Sequence, residues 1–445
     1  MAGANDCKIL SIAQGPFRAA TSGSVPVGEA QDVPVGEWRM NAAEQKPRLA
    51  VVSPFLDRRH GTERMVVEWI ARLTDQFEVH IYSQNVEDLD LSKFTWHRIR
   101  KLKGPHIFNY LWWFVANQVS RSGDRSRGLK YDLVFSAGIN CLDADVVSVH
   151  VVFAEYVRRV RSGLKFSRNP VGRWPRLLHR RLYYRLIRYL EGVVFRDPRI
   201  QLILTAPRSA KAIKRFYHRE GEFPVISAAL DGTTFNPERC AALRDGARTA
   251  LAIPSNRFAI LLIGNDWRNK GLPVLLEALQ HVADMPVDLL VVGEEDPRPY
   301  RALIRERGIQ SHVHFLPPRK DVEFYYAAAD AYVGPSLEDT FALPAAEAMA
   351  CGLPVIASSR AGASALITEG TDGLILNDPT DAQSLATLIR SLFEAPELRR
   401  RLGANAAATT RPYTWERSSR ELAAIFEETL RRKSGFTAPT LVQSP

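Results

Sequence analysis

The chain has 445 residues, of which 46 % are hydrophobic and 24 % are charged, and its formal net charge is +10. A chain of this length is too long to fold around one hydrophobic core, so two globular domains are expected. The composition excludes a disordered chain and a small fold held together by disulfides. The positive charge favours an anionic partner, and composition alone leaves phosphate, nucleic acid and a membrane surface open.

The N-terminus and the cysteines indicate the compartment. The four cysteines form no CxxC or Cys/His cluster, which argues against a disulfide framework or a structural zinc site and favours a reducing compartment. Residues 1–46 lack sustained hydrophobic periodicity and are expected to be a flexible tail, whose start is a poor export signal. No segment has the long apolar run of a membrane-spanning helix. A cytoplasmic protein is therefore expected.

Apolar runs alternate with helical patterns in two consecutive series. The first series predicts strands at 49–52, 77–82, 133–135, 146–149, 201–204 and 224–226, and the second at 258–263, 287–292, 313–316, 331–333, 354–357 and 373–376. Such alternation is typical of parallel sheets covered by helices on both faces, so the predicted fold class is α/β with two Rossmann-like domains. The predicted boundaries are 47–235, 236–410, a helix over 411–432 that folds back toward the first domain, and a flexible tail over 433–445.

The most informative segment follows the predicted strand at 331–333 and reads PSLEDTFALPAAEAMACGLPVIAS (335–358). Pro344 near the start and Gly352 past the end predict a helix between them. Unpaired backbone N–H groups and the helix dipole favour a phosphate at such a helix N-terminus. Three backbone N–H groups are expected there, those of Phe341, Ala342 and Leu343.

Two acidic side chains flank that N-terminus. Glu347 stands one turn inside the helix, in reach of the hydroxyls of a bound ribose, and Asp339 stands on the preceding loop, in reach of a sugar. The residues alone leave a second interpretation open, in which Glu347 only stabilises its own helix.

This segment resembles the donor-site signature of family 4 glycosyltransferases, a retaining group with the GT-B fold. The signature has an acidic residue, seven others and a Glu, followed by a helix, Gly-x-Pro and a strand, and Asp339 and Glu347 match its spacing. The family usually has Glu at the first place, and here the Glu is one residue earlier, at Glu338. Whether Asp339 or Glu338 contacts the sugar stays open at this point.

Further matches to the family lie at other predicted strand ends of the second domain. In LLIGNDWRNKGLPVLLEAL (261–279) a strand ends at Gly264, and a basic loop carries Arg268 and Lys270. Both would face a diphosphate and neutralise charge on the leaving group, although an isolated loop lysine is usually only solvated. The family often has Arg where this chain has Asn265, and Arg268 replaces it, as in some lipopolysaccharide-core members. VVGEED (291–296) ends the next strand and contributes Glu294 to the expected donor-binding residues.

The first domain resembles the family too. HGTERMVVEWIARL (60–73) is similar to the Gly-rich loop that approaches the donor phosphates, with the double Gly reduced to Gly61, which remains suited to close backbone approach. Glu63 and Arg64 fit that pattern, and a role in capping and solvating the helix stays open. His150 follows a predicted strand, where a lone histidine is usually structural, but the family places a histidine here near the sugar and the acceptor.

A basic stretch lies between Glu155 and Glu191, where eleven Lys and Arg residues but no acidic residue are interleaved with aromatic side chains. An apolar segment, LWWFVANQV (111–119), is also flanked by basic residues. Such segments bind anionic membrane surfaces, and a solvated helix face is the alternative. No nucleic-acid-binding module accompanies the charge, so no nucleic acid partner is expected.

The resemblance implies a retaining, metal-independent glycosyltransferase that uses a nucleotide-diphosphate sugar as donor and needs no separate cofactor. Its acceptor would be a glycan, a glycolipid or a lipid-linked molecule, which suits peripheral association with the inner face of a membrane. Two alternatives remain from the sequence, a nucleotide-sugar epimerase on a similar scaffold and a non-catalytic membrane-associated partner. The sequence does not identify the nucleotide, the sugar, the acceptor or the oligomeric state.

Overall fold

The computed structural model describes residues 46–58, 61–102, 104–160, 174–227 and 229–434. The two predicted tails lie outside these ranges, except for Lys46, Lys433 and Ser434. Within the described ranges the chain forms two six-stranded parallel sheets and one two-stranded parallel sheet. The α/β fold class predicted from the sequence is confirmed.

The first large sheet has the strand order β5-β3-β1-β6-β7-β8. The short strands β2 and β4 pair with each other outside this sheet. Within the sheet, β1 is central, the next two strands along the chain lie on one side of it and the last three on the other, which is the order of a doubly wound Rossmann sheet. The strands are β1 (Arg48–Val52), β2 (Phe55–Leu56), β3 (Glu78–Ser83), β4 (Asn85–Val86), β5 (Thr95–Arg98), β6 (Leu133–Ala137), β7 (Val146–Val149) and β8 (Gln201–Leu204). The helices of this domain are α1 (Gly61–Ala71), α2 (His106–Ser126), α3 (Phe153–Val160), α4 (Trp174–Arg196) and α5 (Arg208–Tyr217).

The second large sheet repeats this arrangement with the order β11-β10-β9-β12-β13-β14. Its strands are β9 (Phe258–Ile263), β10 (Val287–Val292), β11 (Val313–Leu316), β12 (Ala331–Gly334), β13 (Val355–Ser358) and β14 (Leu374–Leu376). The helices are α6 (Pro237–Ala250), α7 (Leu272–Gln280), α8 (Arg298–Glu306), α9 (Glu323–Ala328), α10 (Leu343–Ala350), α11 (Ala382–Glu394), α12 (Pro396–Thr410) and α13 (Trp415–Lys433). A parallel sheet with this order binds ligands at the carboxyl ends of its strands.

The predicted strands agree with the structure where they are apolar and buried on both faces. β7, β8, β9 and β10 have the predicted bounds, because such strands read as continuous apolar runs, and the partly exposed β11 has its predicted bounds as well. The prediction of a strand at 224–226 is wrong, since this segment forms only an isolated bridge between Leu204 and Val225. Pro224 offers no backbone N–H to a strand ladder, so the pairing ends there. The short strands β2, β4 and β5 are absent from the prediction.

The last helix, α13, returns to the first domain and packs on α1. Trp69 Nε1 donates to Ser418 Oγ over 2.6 Å, and both side chains are buried. The ring of Phe426 lies 5.8 Å from that of Phe77 in an edge-to-face contact. Lys433 Nζ pairs with Asp145 over 2.9 Å. The helix ends at Lys433, one residue beyond its predicted bound and within the predicted tail. The helix ties the end of the second domain to the first.

Candidate functional site

Two strand-to-helix loops of the second domain lie side by side, residues 264–271 after β9 and residues 335–342 after β12. Asn269 joins them, because its carbonyl accepts one N–H of the second loop and its side chain donates to a carbonyl of that loop, each over 2.7 Å. Gly271, at φ 84, packs so closely that an added Cβ would lie 2.1 Å from the Pro335 carbonyl oxygen. Only glycine fits this contact. The two segments that the sequence identified separately therefore form one surface.

Lys270 and Asp339 connect the two loops through an ion pair between Nζ and Oδ2. The other carboxylate oxygen of Asp339 accepts the backbone N–H of Ala342 over 2.9 Å. Ala342 has φ 66, a left-handed conformation that is costly for a residue with a Cβ. Asp339 offsets part of that cost and holds the loop where α10 begins. The predicted cation and the predicted sugar-binding acid are thus neighbours.

The three backbone N–H groups predicted to bind a phosphate differ in whether they already donate a hydrogen bond within the protein. Ala342 already donates its N–H to Asp339, so it is not free to receive a phosphate in this conformation. The N–H groups of Phe341 and Leu343 donate no hydrogen bond within the described part of the chain. Pro344 occupies the first turn of α10, where a missing N–H costs nothing. Two of the three amides therefore remain as donors at the helix N-terminus.

Glu347 is buried in the second turn of α10. Its Oε1 accepts from Arg64 over 3.1 Å, and its Oε2 accepts from Tyr326 over 2.8 Å. Burial raises the pKa of Glu347 above the ordinary value, and Arg64 and Tyr326 act in the opposite direction. Because Arg64 lies on α1 of the first domain, this ion pair bridges the two domains. Glu347 is therefore held between both halves of the molecule rather than projecting into solvent.

A second bridge between the domains starts at Arg208, the first residue of α5. Its guanidinium donates to the backbone carbonyls of Asp339 and Arg360, and it pairs with the Glu338 carboxylate over 3.1 Å. Glu338 thus faces Arg208, whereas Asp339 faces Lys270. Arg208 and Tyr326 were not among the residues predicted from the sequence. Arg208 begins the helix that follows β8, so its place after a strand end is the signal that could have indicated it, whereas Tyr326 lies within α9, away from the strand ends.

The loop that follows β9 also contains groups without a partner. Arg268 forms no ion pair or side-chain hydrogen bond in the described ranges, and its side chain is partly exposed. Asp266, at φ 57, has a buried Oδ2 without a hydrogen-bond partner, and desolvation raises the pKa of this carboxyl.

The other two predicted residues at these strand ends are Gly264 and Glu294. An added Cβ at Gly264 would lie 2.7 Å from Cε of Lys270, so glycine makes room for the lysine side chain. Glu294 is exposed, and its N–H is bound by the Asn265 side chain over 2.9 Å.

The first domain presents His150 and Gly61 at its own strand ends. His150 is half-buried just after β7, and its Nε2 lies 3.1 Å from Ser148 Oγ. Desolvation lowers the pKa of His150 to about 4, so the imidazole is neutral at neutral pH. Gly61 begins α1, and an added Cβ there would meet no atom within 4 Å. Contacts within the described chain therefore do not explain glycine at this position.

Two further features concern metals and membranes. Within the described ranges, no group of three or more His, Cys, Asp or Glu side chains is arranged to hold a metal ion. Of the helices described, none is long and apolar enough to cross a bilayer.

The second domain matches a known protein family. Residues 244–409 fit the family described as glycosyl transferases group 1. The D-inositol 3-phosphate glycosyltransferase of Corynebacterium kroppenstedtii is 32 % identical over 220 residues, which cover 47 % of this chain and 48 % of that protein. The protein of the same name from Xylanimonas cellulosilytica is 29 % identical over 242 residues, covering 52 % and 58 %. The chain thus spans about half the length of the curated relatives it matches.

Solved structures resemble the whole two-domain arrangement. WaaG, a glycosyltransferase involved in lipopolysaccharide biosynthesis, superposes with a TM-score of 0.71 at 21 % identity, covering 85 % of this chain and 99 % of that one. Alr3699/HepE from Anabaena, in complex with UDP and glucose, has a TM-score of 0.64 at 18 % identity, covering 86 % and 99 %. This likeness confirms the predicted architecture of two Rossmann-like domains facing each other.

Proposed function

We propose that this chain, whose second domain is a glycosyl transferases group 1 domain of the family 4 type with the GT-B fold, transfers a sugar from a nucleotide-diphosphate sugar with retention of anomeric configuration. The observation that carries the proposal is the contact between the loops 264–271 and 335–342, which we call the two donor loops. It places Lys270, Asp339 and the N-terminus of α10 on one surface at the strand ends of the second sheet.

Lys270, Arg268 and the N–H groups of Phe341 and Leu343 would stabilise the departing diphosphate. In the reaction, the bond between the anomeric carbon and the diphosphate oxygen breaks, and a bond to an acceptor hydroxyl oxygen forms on the same face. The hydroxyl proton passes to the departing phosphate, so no separate protein base is required. Preorganised cations and dipoles of this kind contribute about 3–4 kcal/mol each to transition-state stabilisation. The chemistry needs no metal ion in this scheme.

Glu347 and Asp339 would orient the donor. A carboxylate can accept about four hydrogen bonds, so Glu347 retains capacity for ribose hydroxyls beside Arg64 and Tyr326. Asp339 would bind a hydroxyl of the transferred sugar while Lys270 is drawn toward the phosphates. In the first domain, neutral His150 would donate or accept a hydrogen bond near the sugar and the acceptor, and Gly61 would let the backbone approach the diphosphate.

The acceptor is proposed to be a glycan, a glycolipid or a lipid-linked molecule presented at an anionic membrane. Exposed apolar side chains on α2 and α4 support this part of the proposal. We call them the α2–α4 face, which consists of five side chains of α2 and two of α4. They are between 39 % and 64 % exposed: Phe108, Leu111, Trp112, Val115, Val119, Leu178 and Leu182.

The α2–α4 face lies on two helices that contact each other, and positive charge precedes it in the chain. The spacing of its α2 members places them on one side of the helix, and the rings of His106 and Tyr183, which join α2 to α4, lie 4.7 Å apart. Exposed Arg98, Arg100 and Lys101 precede α2. Apolar area beside cations fits an anionic bilayer surface, where each charge contributes about 1 kcal/mol. Sedimentation with anionic vesicles tests this, and unchanged sedimentation of a Trp112→Ser/Val115→Ser variant would contradict it.

A donor screen tests the central proposal. Tight binding of a donor raises the unfolding temperature by mass action, so we expect one nucleotide sugar of a panel to stabilise the protein. A UDP sugar is the first choice, because the Anabaena relative holds UDP and glucose. The stabilising donor is then incubated with candidate acceptors, including phosphorylated polyols in view of the inositol phosphate relatives. Isomerisation of the donor without transfer would indicate an epimerase, and absence of any donor binding would indicate a non-catalytic partner.

A further inference from the structure

A pocket of about 400 Å³ lies on the first domain, between α3, α4 and α5 and apart from the two donor loops. Its lining combines two guanidinium groups with aromatic rings: Arg188, Arg196, Tyr189, Phe216 and Tyr217. A pocket of this size holds a phosphate together with a group as large as glycerol or a sugar. None of these residues belongs to the site described above.

The two arginines of this pocket have no direct acidic partner in the described ranges, although the charge of Arg188 acts on the buried Glu191. Neither Arg188 nor Arg196 forms an ion pair or a side-chain hydrogen bond in the described ranges, although the Arg196 guanidinium lies 5.6 Å from the centre of the Tyr217 ring. The helices α4 and α5 together carry ten Lys and Arg residues, and the only acid on either helix is Glu191. Unpaired guanidinium groups at one cavity are the recognition chemistry of phosphate esters.

Glu191 has a structural place in the pocket wall. It is fully buried, and its two oxygens accept the N–H groups of Phe153 and Ala154 over 2.7 and 3.0 Å, together with the Tyr217 hydroxyl. These bonds fasten α3 and α5 to α4, so Glu191 builds the pocket walls. Its carboxylate accepts three protein donors, of which Ala154 and Tyr217 also line the pocket, and the charge of Arg188 acts on it as well.

Gly192 forms part of the pocket floor. A Cβ added there would lie 3.3 Å from Nη1 of Arg196 and 3.6 Å from Cε1 of Tyr217. Glycine therefore lets the guanidinium and the ring rest against the helix backbone. Any side chain at this position would shift the guanidinium outward by a few tenths of an ångström.

The opening of the pocket indicates where its ligand comes from. Tyr189 and Val193 line it, are 69 % and 42 % exposed, and continue along α4 from Leu182 of the α2–α4 face. We propose that this pocket binds the phosphate of an anionic lipid headgroup, with Arg188 and Arg196 on the phosphate and Tyr189 and Val193 against the first carbons of the acyl chains. The choice of a lipid rests on the proposed membrane docking.

The test uses the full chain in solution, so it does not depend on vesicle docking or on sugar transfer. Calorimetry measures binding of dihexanoyl phosphatidic acid below its micellar concentration, and of glycerol 1-phosphate as the headgroup alone. We compare the wild type with R188Q/R196Q and with R176Q/R185Q, which removes the same charge from exposed positions of α4 outside the pocket. Thermal unfolding confirms that each variant is folded.

We expect the lipid to bind R188Q/R196Q at least tenfold more weakly than the wild type, and R176Q/R185Q within about twofold of it. G192A keeps both charges and a folded helix, and it should weaken binding several-fold. Equal binding by all variants, or equal losses in both double variants, would overturn the pocket as the site. Glycerol 1-phosphate binding as tightly as the lipid would overturn the lipid as its source. Donor stabilisation and vesicle sedimentation of the wild type, measured in parallel, report separately on the proposed function.

Discussion

The two domains share a strand order but bring residues to the cleft in different ways. In the second domain, Lys270 and Asp339 come from adjacent loops that are already bonded to each other. In the first domain, Arg64, His150 and Arg208 come from three separate elements, and two of them reach the cleft by binding the second domain. The candidate residues of the second domain are therefore preorganised by contacts within that domain, whereas Arg64 and Arg208 take their positions only while the two domains contact each other.

The same contrast appears in the comparisons with other proteins. The family match is confined to residues 244–409, while the structural likeness to WaaG covers 85 % of the chain. A site built from two touching loops tolerates few changes, because each residue contacts the next. Residues that reach the cleft singly, from different helices, can change type and position while the fold stays the same.

Removal of Glu347 should have the largest effect, because it breaks both the proposed donor site and a contact between the two domains. Glu347→Ala leaves Arg64 without its partner and Tyr326 without its acceptor, a loss of about 3–5 kcal/mol for a buried ion pair. We expect transfer to fall by about a thousandfold. Initial rates measure the loss and thermal unfolding monitors the fold. Glu397→Ala, an exposed acid of α12, is the control; near-wild-type turnover of Glu347→Ala would remove Glu347 from the site.

Lys270 should affect the chemical step within the preorganised half. We expect Lys270→Ala to lower kcat by about a hundredfold with little change in KM, because its charge matters most when the diphosphate leaves. Steady-state kinetics with the donor identified above separates the two parameters. Lys320→Ala, at an exposed loop lysine of the same domain, should be unchanged. A rise in KM at constant kcat would mean that Lys270 only binds the ground state.

Arg208 tests whether the first domain acts through closure. Arg208→Gln removes hydrogen bonds and an ion pair to the second domain, and we expect kcat/KM to fall by about tenfold, corresponding to about 1.5 kcal/mol. Lys211→Gln, at an exposed position on the same helix, is the matched control. If Arg208→Gln lost as much activity as Lys270→Ala, the distinction between a preorganised half and a closing half would be wrong.

The smallest expected effect concerns His150, whose titration should leave the pH dependence of the transfer rate unchanged. Its folded pKa of about 4 lies below the usual value of 6.5, so the imidazole stays neutral and no limb of the rate profile between pH 5.5 and 8 should come from its titration. The unfolded chain binds a proton as pH falls below 6.5 and the folded chain does not, so stability decreases toward pH 4. Rate profiles and melting curves of the wild type and His150→Gln check both statements. A rate limb near pH 6.5 that disappears in His150→Gln would contradict the depressed pKa.

Local patterns sufficed for much of this molecule. The buried strands β9 and β10 were predicted with their bounds and β12 and β13 to within one residue, since continuous apolar runs between helical patterns have few other interpretations. The helix with Pro344 near its start and Gly352 past its end was predicted from the same kind of signal. Edge strands such as β5 were not, because TWHR is half-exposed and carries no apolar run. Lys270 and Asp339 were predicted from their places in loops that follow predicted strands, and Glu347 from its spacing to Asp339, which resembles the donor-site signature.

By itself the sequence determined the two Rossmann-like units and the residues at their strand ends, because hydrophobic periodicity and helix boundaries are encoded within short segments. Only the tertiary structure decided what those residues contact. It showed that Asp339 already holds Lys270 and the Ala342 amide, and that Glu347 is bound by Arg64, 283 residues away. Contacts of this kind depend on how two folded domains are placed against each other, and no local pattern carries that information.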